Sequence, residues 1–185
     1  ASGTVDFVPS SDWGKKDILT KEVEFIAGGD LRSSIIRKSD GTVWSWGWGT
    51  QNSQLGNGIN SNSLVPVQAS NLAGITANTN SGEHSLALKS DGTVWAWGNN
   101  NYGQLGNGVI DPNYSGAPVQ VSNLTNVTAI AEGMFHSLAV KSDGTVWTWG
   151  DGRYGQLGNG TNINSNVPVQ VSGLTDAIAV AGING

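Results

Sequence analysis

Cysteine is absent from the 185 residues, which excludes a disulfide framework, a thiolate metal site and a cysteine nucleophile, and leaves the compartment unreadable from redox chemistry. Basic residues are scarce. Nine Lys and Arg against fourteen Asp and Glu give a formal charge of −5, and nine scattered cations cannot form the basic face that grips nucleic-acid phosphates. No run approaches the roughly 18 apolar residues of a membrane span. A phosphate-binding Gly-x-x-x-x-Gly-Lys loop is missing, as is any Ser/His/Asp grouping beyond what internal repetition creates. These absences point away from nucleic acid, cofactors, metals and enzymatic activity.

What remains is rich in glycine (27) and tryptophan (8), with only 12% charged residues. That composition fits short strands joined by tight turns better than helices. One hairpin occurs three times, as Ser39-Asp40-Gly41-Thr42-Val43-Trp44-Ser45-Trp46-Gly47, from Ser90 to Gly98 with Trp95 and Trp97, and from Ser142 to Gly150 with Trp147 and Trp149. Ser-Asp-Gly supplies the reversal, because Asp bonds its own backbone and Gly tolerates positive φ. In the strand that follows, period-2 alternation puts both indoles of each pair on one face. The three hairpin glycines stand roughly 51 and 52 residues apart, a period that marks a repeat array rather than independent cores.

Alignment on the hairpins yields four strands per unit. An apolar strand comes first, then His84 to Lys89 or His136 to Lys141 (loosely, Ser33 to Lys38), then the tryptophan strand. A Gln-Leu-Gly-Asn-Gly loop follows, and the last strand carries Pro66, Pro118 or Pro168. Proline cannot donate to a ladder, so this strand belongs at the outer edge. Four antiparallel strands running from axis to rim describe a propeller blade. The predicted fold is therefore all-β, a β-propeller with whole blades at 23–70, 75–122 and 127–172.

The ends complete the pattern only in part. Residues 1–22 align as a degenerate third and fourth strand, and 176–185 as the first strand of a further blade. The split blade lacks its second strand, an open edge that invites another chain. The predicted protein-contact residues are accordingly Val5, Phe7 and Val8 on one side of the gap and Ala177, Ile178, Val180 and Ile183 on the other. Trp13 and Trp48 join them as aromatics outside the repeat pattern. The chain begins at Ala1 rather than Met, which leads to the expectation of a removed signal peptide or an excised fragment.

The recurring Gly-x-x-His-Ser-Leu-Ala-Leu, Asp-Gly-x-Val-Trp-x-Trp-Gly and Tyr-Gly-Gln-Leu-Gly, in one order from Val23 to Gly182, resemble the repeats of the regulator-of-chromosome-condensation family. The resemblance implies a β-propeller, usually of seven blades, against about four blade equivalents here. The Asn-rich loops and Asp-Gly-Thr-Val-Trp are similar to the bacterial extracellular branch. That implies an extracellular or cell-surface protein whose work is protein contact, an appendage subunit or oligomer completed by strand pairing. Nuclear chromatin binding and nucleotide exchange do not carry over, because no matching functional residue is identifiable. A branch similar to secreted propeller inhibitors of β-lactamase implies the alternative, a rim-loop binder using Trp48, Tyr102, Phe135 and Tyr154.

Other constellations have plainer readings. His84 and His136 recur at one blade position and are read as structural hydrogen bonders rather than a metal pair or catalytic bases. The repeated tryptophans are read as packing between neighbouring blades. The Gln-Leu-Gly-Asn-Gly loops are turn chemistry. Asp111, Asp151 and Asp176 lack calcium-loop spacing and are read as solvated loop carboxylates.

Overall fold

A computed structural model describes residues 23–28, 33–50, 53–109 and 114–182. Twelve strands fall in this part: β1 (Val23–Gly28), β2 (Ser33–Lys38), β3 (Val43–Gly47), β4 (Ser63–Gln68), β5 (Ile75–Asn80), β6 (His84–Lys89), β7 (Val94–Gly98), β8 (Ser115–Gln120), β9 (Val127–Glu132), β10 (His136–Lys141), β11 (Val146–Gly150) and β12 (Ser165–Gln170). They form three antiparallel four-stranded sheets, β1 to β4, β5 to β8 and β9 to β12, each paired in chain order. These are the three whole blades. Among the described residues no helix is long and apolar enough to cross a membrane.

The Asp-Gly-Thr corners work as their composition demands. Each Asp accepts through Oδ1 from both the backbone N–H and the hydroxyl of the Thr two residues on: Asp40 from Thr42, Asp91 from Thr93 and Asp143 from Thr145, at 3.0 and 2.6 Å in every copy. Gly92 sits at φ +78°, and a Cβ there would come within 3.1 Å of the Asn126 backbone. Glycine is thus required twice over, by conformation and by the close approach of the next blade.

The proline strands β4, β8 and β12 take the edge of each sheet. The ladder of β3 with β4 shifts register between Ser45 and Gly47, and the same shift recurs between Ala96 and Gly98 and between Thr148 and Gly150. Pro66, Pro118 and Pro168 fall inside these irregular stretches, where a missing N–H costs no ladder bond.

The hydrophobic core lies between blades. One cluster joins Leu105, Val121 and Leu124 of the second blade to Val127, Ala139 and Trp149 of the third. Another joins Ile35, Val43, Ala69 and Leu72 of the first to Ile75, Ala87 and Trp97 of the second. The two indoles of each pair share a face but not a role. Trp97 and Trp149 are fully buried against the preceding blade. Trp44, Trp95 and Trp147 are half-buried, and Lys38, Lys89 and Lys141 lie over their rings at 4.1, 4.7 and 5.6 Å.

Candidate protein-docking surfaces

Each blade meets the next through one repeated clasp. The Nε1–H of Trp97 donates to the Gln54 carbonyl at 2.9 Å, and that of Trp149 to the Gln104 carbonyl at 2.8 Å. The glycine two residues after each glutamine makes room: a Cβ on Gly56 or Gly106 would stand 2.7 Å from the indole nitrogen. Backbone bonds fix the register, Ile75 N–H to the Gly41 carbonyl (3.3 Å) and Val127 N–H to that of Gly92 (3.1 Å).

The outgoing face of the third blade repeats this notch, with Gln156, Gly158, Val171 and Leu174 at the places of Gln104, Gly106, Val121 and Leu124. Leu157 is buried and receives the Thr148 hydroxyl on its carbonyl at 2.6 Å, so the loop has the shape of its counterparts. Among the described residues its surface is more exposed than theirs. Leu72 and Leu124 are 4% and 2% exposed, but Leu174 is 45% exposed. Gln54 and Gln104 are buried while Gln156 is half-buried, and Gly158 is exposed where Gly56 and Gly106 are buried. Among the described residues, the nearest atoms to a Cβ on Gly158 belong to Val171.

The chain after this notch follows the path of the earlier blades. Asp176 has φ +60° where Asn126 has +59°, and Ala177 N–H donates to the Gly144 carbonyl at 3.0 Å. The strand expected over Ala177 to Ala181 carries no ladder, because no second strand is paired with it among the described residues. Val180 lines a cavity of about 390 Å³ with Asn78, Thr79 and Glu132. Ile178 is 92% exposed and Ala177 half-buried. Val5, Phe7, Val8, Trp13 and Ile183, and with them residues 1–22 expected as half of a split blade, lie outside the described residues. Trp48, expected as an exposed contact, is half-buried directly after β3.

A second cluster forms on the loops after β7, β9 and β11. The rings of Tyr102 and Phe135 meet at 5.1 Å, inclined by 53°. The Arg153 guanidinium lies 4.5 Å from the Tyr102 ring and 5.9 Å from that of Tyr154, which is 86% exposed. Asp151 holds Arg153 by accepting from its Nε at 2.9 Å and its Nη2 at 3.0 Å. Asp151 is therefore not the solvated carboxylate expected of it; it is buried. Burial pushes its carboxyl up, but the hydrogen bonds and charge of Arg153 outweigh this and hold it below the ordinary value. Three of the four rim aromatics expected together are neighbours, and Trp48 stands on the first blade. Arg153 was not singled out from the sequence, although it departs from Asn101 at the same place in the second blade.

The histidines behave as structural groups. His84 is fully buried, with Nδ1 3.2 Å from the Ser81 hydroxyl and Nε2 2.8 Å from that of Ser137. The Ser137 proton goes to the Gln104 carbonyl at 2.9 Å, so Ser137 accepts from His84 Nε2–H. Burial, reinforced by the nearby His136, lowers the His84 pKa to about 3. Glu132 Oε2 lies 3.4 Å from the ring, and burial raises that carboxyl well above its ordinary value. Burial thus disfavours the charged form of both groups. Among the described residues no three His, Cys, Asp or Glu side chains are grouped to hold a metal ion.

The model of the regulator of chromosome condensation (RCC1) repeat matches residues 40–88, 91–140 and 143–182, and a second model of the same repeat matches 127–156. The chain is 36% identical over 156 residues to the E3 ubiquitin-protein ligase HERC2 of Homo sapiens, covering 82% of this chain and 3% of that protein. It is 32% identical to the ultraviolet-B receptor UVR8 of Arabidopsis thaliana, covering 83% of this chain and 34% of the receptor. Human WBSCR16 superposes with a TM-score of 0.72 at 26% identity, over 83% of this chain and 39% of that one. Yeast RCC1 (Prp20), in its complex with Kap60, gives 0.75 at 23% identity, over 90% and 41%. The chain thus spans about a third of the receptor and far less of the ligase. With three matched repeats on three propeller blades, it belongs to the regulator of chromosome condensation (RCC1) repeat family.

Proposed function

We propose that this chain is a non-enzymatic protein-interaction propeller that works as a subunit of an extracellular or cell-surface assembly, docking another polypeptide along the outgoing flank of its third blade. One observation carries the reading: Leu174 is 45% exposed at a position where Leu72 and Leu124 are 4% and 2% exposed. An apolar surface of the blade-contact kind that is exposed among the described residues is a candidate protein interface. In this reading the segment from Ala177 to Val180, whose Ala177 N–H bonds the Gly144 carbonyl, offers that partner a strand to pair with. Propellers of this fold that bind proteins support the general role: yeast Prp20 has been crystallised with Kap60, and its binding to Gsp1p has been studied. The ligase designation of HERC2 belongs to a protein of which this chain spans 3%. The cell-surface setting rests on the likeness of the repeat wording to the extracellular branch.

The test is light scattering on particles from the producing cell, with mass spectrometry of their components and fractionation of the cell. Several copies or a second polypeptide at the surface support the reading. A lone 19.2 kDa chain contradicts it.

The rim cluster favours a second reading, a secreted binder or inhibitor that holds its target through Tyr102, Phe135, Arg153 and Tyr154. Tyrosine and arginine dominate binding energy when an anchored arginine is stacked on rings. Binding that survives substitution of Leu174 but fails for Tyr154→Ala selects this alternative.

A further inference from the structure

We infer that Asn57-Gly58 and Asn107-Gly108 are latent self-modification sites at the boundaries between the three blades. Each asparagine amide closes on the next backbone nitrogen when its boundary opens, and the isoaspartate formed keeps that boundary from closing as before.

Both pairs stand in the Gln-Leu-Gly-Asn-Gly loops, and the structure ties each loop to the blade that follows. Gly58 N–H donates to the Gly116 carbonyl at 2.8 Å, and Gly108 N–H to the Asn166 carbonyl at 2.9 Å. Asn166 adds a second tie by donating through Nδ2 to the Gly108 carbonyl at 2.8 Å. Donors and acceptors all lie inside the three described blades, so these contacts do not depend on the ends of the chain.

Everything else that ring closure needs is in place. Each asparagine is half-buried and each glycine exposed, so water reaches both. Glycine has no side chain to shield its nitrogen, and even a Cβ built on Gly58 would meet nothing within 4 Å. The amide oxygens are already held, Asn57 Oδ1 by the Ile59 N–H at 3.0 Å and Asn107 Oδ1 by the Val109 N–H at 3.2 Å. Those donors stabilise the negative charge that develops on the oxygen when its carbon is attacked. Only the attacking nitrogen is engaged, and the neighbouring blade engages it. The Asp-Gly corners differ, because there the glycine N–H bonds within its own hairpin, Gly92 to the Lys89 carbonyl at 3.0 Å, and a carboxylate has no ammonia to lose.

The chemistry balances with water as the sole co-reactant. On opening, the Gly108 nitrogen gives its proton to hydroxide and bonds to Asn107 Cγ, the Cγ–Nδ2 bond breaks, and ammonia leaves with a proton from water. Water then opens the cyclic succinimide at either carbonyl, giving aspartate or isoaspartate. Isoaspartate inserts a methylene into the main chain ahead of Gly108, which shifts the N–H and C=O that meet Asn166. When opening and closing are fast, the rate follows the open fraction, so each site records how often its boundary parts.

Peptide mapping by mass spectrometry of the full chain, aged in mildly alkaline buffer with and without urea, reads both sites. Expected results are conversion of Asn57 and Asn107 in urea, conversion about tenfold slower or more in the folded chain, and isoaspartate among the products. Asn166→Ala removes the Nδ2 donor from Gly108; it should speed Asn107 several-fold and leave the rate at Asn57 unchanged, with the fold verified by circular dichroism. In the separated isoaspartate form, hydrogen exchange across 102–109 should exceed that of the unmodified chain, while exchange across 142–150 stays the same. Equal rates in the folded and urea-treated chain overturn the inference whatever the variant does. Acceleration of both sites alike by Asn166→Ala, or unchanged exchange in the isoaspartate form, overturns it as well.

Discussion

The Nε2–H of His84, on β6, donates to the hydroxyl of Ser137, on β10, at 2.8 Å across the boundary of the second and third blades. Ser137 passes its own proton to the Gln104 carbonyl, which also receives Trp149. One carbonyl thus accepts from a serine and a tryptophan of the third blade and, through that serine, is linked to a histidine of the second. The boundary of the first and second blades lacks this chain, because Ser33 stands where histidine would be, and the Ser85 hydroxyl is buried without a hydrogen-bond partner.

The contrast between the two serines is measurable. Ser137→Ala strands the His84 donor in a dry interface and is expected to cost about 1–3 kcal/mol. Ser85→Ala removes a hydroxyl that already lacks a partner and is expected to be neutral or stabilising within about 0.5 kcal/mol. Urea unfolding of both variants checks the pair, and equal losses would contradict the assignment.

Trp149 anchors the same boundary. Trp149→Ala is expected to destabilise by about 3–5 kcal/mol, combining lost burial with the space left behind. Trp147→Ala, whose indole is half-buried beneath Lys141, should cost distinctly less. Thermal unfolding gives the order, and a reversed order would mean that the blade contact lies elsewhere.

His84 and Glu132 set opposite limits on pH. The folded His84 pKa of about 3 lies below the ordinary histidine value of 6.5. Between these values the unfolded chain holds more protons, so stability falls as pH drops from 6.5 toward 3. The Glu132 pKa is raised above 4.5, the folded chain holds more protons above that pH, and stability falls as pH rises. Glu132→Gln is therefore expected to gain on the wild type as pH rises above the ordinary carboxyl range. Melting temperatures over this rise in pH decide; a constant difference would show that the Glu132 carboxyl titrates normally.

The rim cluster separates fold from binding. Asp151→Asn loosens the grip on Arg153 without emptying the site, since an amide oxygen still accepts one bond. Any target bound through Tyr102 and Tyr154 should dissociate faster from this variant than from the wild type, as surface plasmon resonance would record. An unchanged off-rate would remove Arg153 from the contact.

Much of this architecture is legible in the residues. Asp40-Gly41-Thr42 and its copies announce the corners, and Pro66, Pro118 and Pro168 announce the edges, because both rest on local backbone chemistry. The division of labour between Trp95 and Trp97 is not legible, since alternation places them on the same face and only the neighbouring blade decides which is covered. Asp151 misleads for a related reason: its blade position is buried, as Asn99 shows at the same place in the second blade, and a single charge change in a loop gives little warning of a fixed pair with Arg153. The open flank at Leu174 is invisible for the opposite reason, as its residues match those of the covered flanks.

Hydroxyl-radical footprinting of the native particle tests the central claim most directly, with Leu124 as the internal standard of a covered blade contact. Leu174 and Val171 are expected to be modified readily in the isolated chain and to be protected in the particle nearly as well as Leu124. Equal modification of Leu174 in both states would contradict docking on the third-blade flank.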